Sequence, residues 1–102
     1  MSKKRLPPTH PGDILKEELD ERSISLNKLS RDIRIPLSRV SLIVNGKRAV
    51  TADMALRLAR YFGTSPRFWL NLQQAHDLSR AWAESSAIIA REVNPREVSE
   101  AA

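Results

Sequence analysis

His10 and His76 are the only histidines in a chain of 102 residues that has no cysteine. A zinc, copper or iron site needs imidazole, thiolate or carboxylate ligands at short, repeated spacing. Here Asp77 is the only acid immediately beside either histidine, so no metal-ligand spacing exists. Thiolate chemistry and a disulfide framework are excluded with the cysteines. No Ser-His-Asp order, glycine-rich phosphate loop or paired-carboxylate cleft stands out. Glu17, Glu18, Asp20 and Glu21 lie on one charged helix side and read as a solvated face. The expectation is therefore no enzymatic activity, no metal and no cofactor. His76, at helical spacing from Leu72, is expected to pack, and His10 to make a contact at the start of the first helix.

The cations carry more information. The chain has 17 Lys and Arg against 12 Asp and Glu, a net charge of +5 and an isoelectric point near 10.2. Such a balance suits nucleic acid or another anionic surface. Arg22, Lys28, Arg31, Arg34, Arg39, Lys47 and Arg48 face a single acid, Asp32, within residues 22–48, whereas residues 51–102 are balanced. The positive charge is thus one central block. The hydrophobic fraction of 41% suits a small globular domain rather than a disordered chain. No window is apolar enough for a membrane span, and the basic N-terminus has no apolar run behind it, so neither a membrane anchor nor a secretory leader is expected. A cytoplasmic protein is the expectation.

Five helices must position that block. Pro11 suits a first helical turn, Asp13, Glu17 and Glu18 lie toward its N-terminal end, and Ile14, Leu15 and Leu19 supply an apolar side, which predicts a helix from about Pro11 to about Glu21. Ser25 is an N-cap ahead of Leu26, Leu29 and Ile33. Pro36 stops that pattern. A third helix then starts at Pro36 or Leu37, buries Val40, Ile43 and Val44, and ends at Asn45-Gly46. Thr51 caps a fourth helix carrying Ala55, Leu58, Ala59 and Phe62, closed by Gly63. Ser65-Pro66 opens a fifth, expected to reach about Glu84, with Phe68 and Leu72 in its core. Beyond it, Ile88, Ile89 and Val93 suit either more helix or a short strand. The expected organisation is a loose basic arm at 1–9, an all-α helix-turn-helix domain at 10–84, and a dimerisation segment and tail at 85–102.

The second and third helices, joined by a short turn inside a five-helix domain, describe a helix-turn-helix spanning about residues 25–45. The stretch from Leu29 to Arg48 resembles, without gaps, the helix-turn-helix of lambda-repressor-like (XRE-type) domains. Three further segments are similar to HigA-type, or VapI-type, antitoxins: His10-Pro-Gly-Asp-Ile-Leu15, Val50-Thr-Ala-Asp-Met-Ala-Leu-Arg-Leu58 and Phe62-Gly-Thr-Ser-Pro-Arg-Phe-Trp-Leu-Asn-Leu72. The resemblance implies a dimeric repressor that binds an operator in its own promoter and neutralises a co-transcribed RelE-like ribonuclease that cleaves mRNA on the ribosome. Two departures stand out. Arg34 occupies the turn position where the family usually has glycine, and Pro36 stands where Ser or Thr usually caps the recognition helix.

If Val40, Ile43 and Val44 face inward, helical geometry turns Ser38, Arg39, Ser41 and Leu42 outward, with Leu37 at the helix start. These five are the expected base-contacting residues. Arg39 suits a bidentate contact to guanine and Leu42 a thymine methyl; a phosphate clamp or a solvated surface arginine is the plainer alternative for Arg39. Asn27, Lys28, Asn45, Lys47 and Arg48 flank the two helices as expected phosphate contacts, against ordinary solvated polarity. Trp69, Trp82, Ile88 and Ile89 are assigned to a dimer or toxin surface; Trp82 lies so far along the fifth helix that a small domain has little core left to offer it. The expected partners are operator DNA, a second copy of the chain and a toxin, with no membrane and no small-molecule substrate. A free-standing XRE-type repressor without a toxin is the alternative function, and an interaction-only helix-turn-helix a remoter one.

Overall fold

The computed structural model describes residues 9–97. Five helices follow one another: α1 Pro11–Glu21, α2 Leu26–Ile33, α3 Leu37–Val44, α4 Ala52–Phe62 and α5 Pro66–Glu92, with no strand among the described residues. The expected arm at 1–9 lies outside the described residues except for Thr9, as do residues 98–102 of the tail.

The helix starts follow from local chemistry. The hydroxyl oxygens of Ser25, Thr51 and Ser65 accept from the amides of Lys28, Met54 and Phe68 at 3.0, 3.3 and 3.1 Å. Each such cap is worth about 1 kcal/mol. At α1 the cap is an imidazole: Nδ1 of His10 accepts from the Gly12 amide at 2.8 Å. Gly63 ends α4 at φ 77°, where a side chain would be strained. The third helix begins at Leu37, the second of its two expected starts, and Pro36 gives it no side-chain cap.

One core holds α1–α4 and the first turns of α5. Leu15 and Leu19 of α1, Leu29 and Ile33 of α2, Val40 and Ile43 of α3, and Met54, Ala55 and Leu58 of α4 are all buried. α4 and α5 pack most extensively, and α3 is held from two sides by α1 and α2. The seam between α1 and α3 depends on Gly12, where a Cβ would overlap the carbonyl oxygen of Ile43. A glycine here lets the backbones of α1 and α3 approach directly.

Two expectations for α5 are corrected. Trp69, expected at a partner surface, is 0% exposed, whereas Phe68, expected in the core, is 41% exposed. One residue along a helix is a rotation of about 100°, so only one of the pair can face α4. Trp69 takes that place because its indole Nε1 donates to Thr64 Oγ1 at 2.9 Å, which removes the penalty of burying the N–H. Phe68 stacks edge-on against it at 5.1 Å. The second correction is length: α5 does not end near Glu84 but runs as one 27-residue helix to Glu92, which decides between helix and strand for Ile88 and Ile89. Ala81, Ala83, Ala87 and Ala90 favour helix, and no breaker precedes Pro95.

Candidate nucleic-acid interface

The turn between α2 and α3 consists of Arg34, Ile35 and Pro36. Arg34 is left-handed, φ 62° and ψ 43°. For a residue with a Cβ that conformation costs about 1–2 kcal/mol relative to glycine. Four bonds hold it. The amides of Arg34 and Ile35 both donate to the Ser30 carbonyl, and Ser30 Oγ donates to the Ile35 carbonyl at 2.6 Å. From α4, Arg57 Nη1 donates to the Ile33 carbonyl at 2.7 Å, satisfying one of the carbonyls left over at the end of α2. Buried Ile33 and Ile35 anchor the turn on either side of Arg34. The turn therefore keeps helix-turn-helix geometry without a glycine.

With Val40, Ile43 and Val44 buried, α3 presents the opposite face to solvent. Leu37, Ser38 and Leu42 are exposed, and Arg39 and Ser41 are half-buried at the base of that face. The structure brings all five expected base-contacting residues onto one short helix. Ser41 Oγ accepts from Asn45 Nδ2 at 3.4 Å, a long bond that leaves the hydroxyl proton available. Among the described residues the Arg39 side chain has no hydrogen bond or ion pair. A half-buried cation without a protein partner stands ready for an acceptor from outside.

The expected phosphate-contacting residues lie on α2 and just past α3. Asn27 is exposed at the start of α2, and Asn45, Lys47 and Arg48 are exposed just past α3. Lys28 departs from the pattern. Its ammonium donates to Asp32 Oδ2 at 2.9 Å, and Tyr61 of α4 donates to the same oxygen at 2.9 Å. Those two bonds hold the Asp32 carboxyl below the usual carboxylate range, and the Asp32 contact raises the lysine. The pair is solvated, so it is a weak tether.

Sequence reasoning missed the residues that fix this surface from behind. Gln73 of α5 is buried, and its Oε1 accepts from the Val50 amide at 2.8 Å, tying the segment after Lys47 and Arg48 to the core. Its Nε2 donates to Asp77 at 3.0 Å. His10 closes the other end: its ring lies over Gly46, where a Cβ would stand 3.7 Å from His10 Cγ, and meets His76 edge-to-face at 4.9 Å. So His10 does make the expected contact at the start of α1, and one ring holds both the N-terminus of α1 and the exit of α3. Burial and the neighbouring His76 lower the His10 pKa below its usual value.

The helix-turn-helix family model matches residues 15–69. Virulence-associated protein I of Dichelobacter nodosus is 42% identical over 87 residues, which span 84% of this chain and 81% of that protein. An addiction module antidote protein of the HigA family from Coxiella burnetii superposes with a TM-score of 0.83 at 50% identity, covering 89% of this chain and all of that one. The chain belongs to the HigA family of helix-turn-helix antitoxins. A further HigA, the Pseudomonas aeruginosa antitoxin solved with the higBA promoter, has a TM-score of 0.83 at 43% identity, covering 88% of this chain and 99% of that one. These HigA-family relatives are antitoxins and DNA-binding regulators rather than enzymes, and this chain is not an enzyme. Among the described residues, no helix is long and apolar enough to cross a membrane.

Proposed function

We propose that this HigA-family chain binds operator DNA in its own promoter as a dimer, represses its operon, and neutralises a co-transcribed RelE-like mRNA-cleaving toxin. The observation that carries the DNA reading is the exposed face of α3, where the Arg39 side chain has no partner among the described residues and the exposed cations Lys47 and Arg48 stand just past the helix. In this reading Ser38, Arg39, Ser41 and Leu42, with Leu37 at the helix start, meet base edges, while Asn27, Lys28, Asn45, Lys47 and Arg48 set register on phosphates. The Pseudomonas aeruginosa HigA solved with promoter DNA supports it.

A two-fold dimer places two recognition helices about 34–36 Å apart, one turn of DNA. The far half of α5 supports such pairing: Leu78, Trp82 and Ile89 are exposed and recur at helical spacing along one side, with exposed Val93 just past the helix end. A protein with this duty works in the cytoplasm, where its promoter is.

The toxin duty is tested by co-expression with the adjacent reading frame. The expected outcome is growth arrest by that frame alone, and rescue with co-purification when this chain is present. A harmless frame that does not co-purify removes the toxin and leaves the free-standing repressor.

A further inference from the structure

Between the end of α2 with the turn that follows it and the second half of α4 lies a groove of about 460 Å³ lined by Asp32, Ile33, Arg34, Arg57, Arg60 and Tyr61. Half of its lining residues are arginines, and its one acid is already engaged, since Asp32 Oδ2 accepts from both Lys28 and Tyr61. The arginines are not equivalent. Arg57 is fixed, with Nε on Asp53 at 2.8 Å and Nη1 on the Ile33 carbonyl at 2.7 Å. The side chains of Arg34 and Arg60 are exposed and make no hydrogen bond or ion pair among the described residues.

Arg34 carries its side chain on a left-handed residue, where glycine would close the same turn without strain. Strain of this kind concentrates where a side chain has a task. A guanidinium stays protonated and presents paired N–H donors that match phosphate oxygens.

We propose that this groove binds a phosphate group through Arg34 and Arg60, with Arg57 as the fixed cation behind them. Arg34 stands three residues before Leu37, the first residue of α3, so a duplex seated on the recognition helix brings backbone phosphates to its flank. A free phosphate ester offers the same chemistry. The duplex source rests on the operator-binding reading above; the groove itself does not.

The test uses the full chain and two variants, Arg34→Gly, which relaxes the turn, and Arg60→Ala. In the first arm, affinity for promoter DNA and for an arbitrary duplex is followed across salt concentration. Each variant is expected to flatten the log–log salt slope by about one on both duplexes. In the second arm, inorganic phosphate is titrated at constant ionic strength while the amide resonances of residues 32–35 and 57–61 are followed by NMR. A flattened slope assigns the groove to duplex phosphate. Saturable shifts that vanish in Arg34→Gly, with the slope unchanged, assign it to a free phosphate ester. Wild-type slopes in both variants together with no saturable shift overturn the proposal, and Arg34 is then a solvated cation beside Asp32. If the wild type binds neither duplex, the operator reading fails and the second arm alone decides the groove.

Discussion

Trp69 and Trp82 lie on the same helix, yet Trp69 is 0% exposed and Trp82 72% exposed. Trp69 has a wall to pack on in α4 and a hydroxyl acceptor in Thr64. Around Trp82 the helix has left the body of the domain, and its neighbours along the helix, Leu78 and Ile89, are exposed as well. The first turns of α5 belong to the fold; the last four are an apolar stripe that a monomer leaves in water. Scattered apolar residues on a surface are ordinary, but a stripe at helical spacing is the mark of a surface meant for a partner.

The sharpest way to break this comparison is to truncate both tryptophans. Trp69→Ala is expected to cost about 3–5 kcal/mol of stability, the usual penalty for emptying an aromatic site in a core. Trp82→Ala is expected to leave protomer stability within about 0.5 kcal/mol, as surface changes do, and to weaken self-association instead. Urea unfolding of both variants checks the first half, and light scattering across a dilution series the second. Equal losses of stability would mean that α5 is part of one core throughout.

A smaller effect sharpens the boundary between the two regions, because His10 meets His76 where α5 passes α1. His10 is nearly buried, its Nδ1 accepts the Gly12 amide, and burial first and His76 second lower its pKa below 6.5. Asp13 of α1 and Asp77 of α5 oppose the shift, and Arg80 of α5 adds to it. The unfolded chain therefore binds this proton at a higher pH than the folded one. The stabilisation is fully present above about pH 6.5 and is lost as pH falls from there through the lowered folded value. Thermal unfolding between pH 7.5 and 5 should show a falling midpoint that is flatter in His10→Asn, which retains a capping oxygen but does not titrate. Equal slopes in the two proteins would remove His10 from the seam.

Much of the helical frame is legible in the sequence because its signals are local. Ser25, Thr51 and Ser65 act within three residues of themselves, and Gly63 ends α4 by its own backbone freedom. The apolar spacing of Val40, Ile43 and Val44 likewise identifies the outward face of α3. What the sequence hides depends on distant partners. Whether Phe68 or Trp69 is buried turns on where α4 lies, and no period within α5 contains that. Gln73 reads as a polar helix residue until Val50 is found beside it, and Arg57 and Tyr61 act on α2 residues 24 and 29 positions away. Arg34 lies between these cases. Its position in the turn is visible from Pro36, but the conformation that tolerates it is held in part by Ser30 and Arg57.

In the proposed function the free face of α3 reads base sequence while Lys28, Lys47 and Arg48 supply affinity without sequence. The measurement that tests it most directly is the affinity of the wild type and of Arg39→Ala for promoter DNA and for an arbitrary duplex at one fixed salt concentration. Arg39→Ala is expected to lose about 1–3 kcal/mol on the promoter, roughly 5- to 150-fold, and little on the arbitrary duplex. Equal losses on the two duplexes would make Arg39 one more phosphate contact, and no loss on either would remove α3 from the DNA.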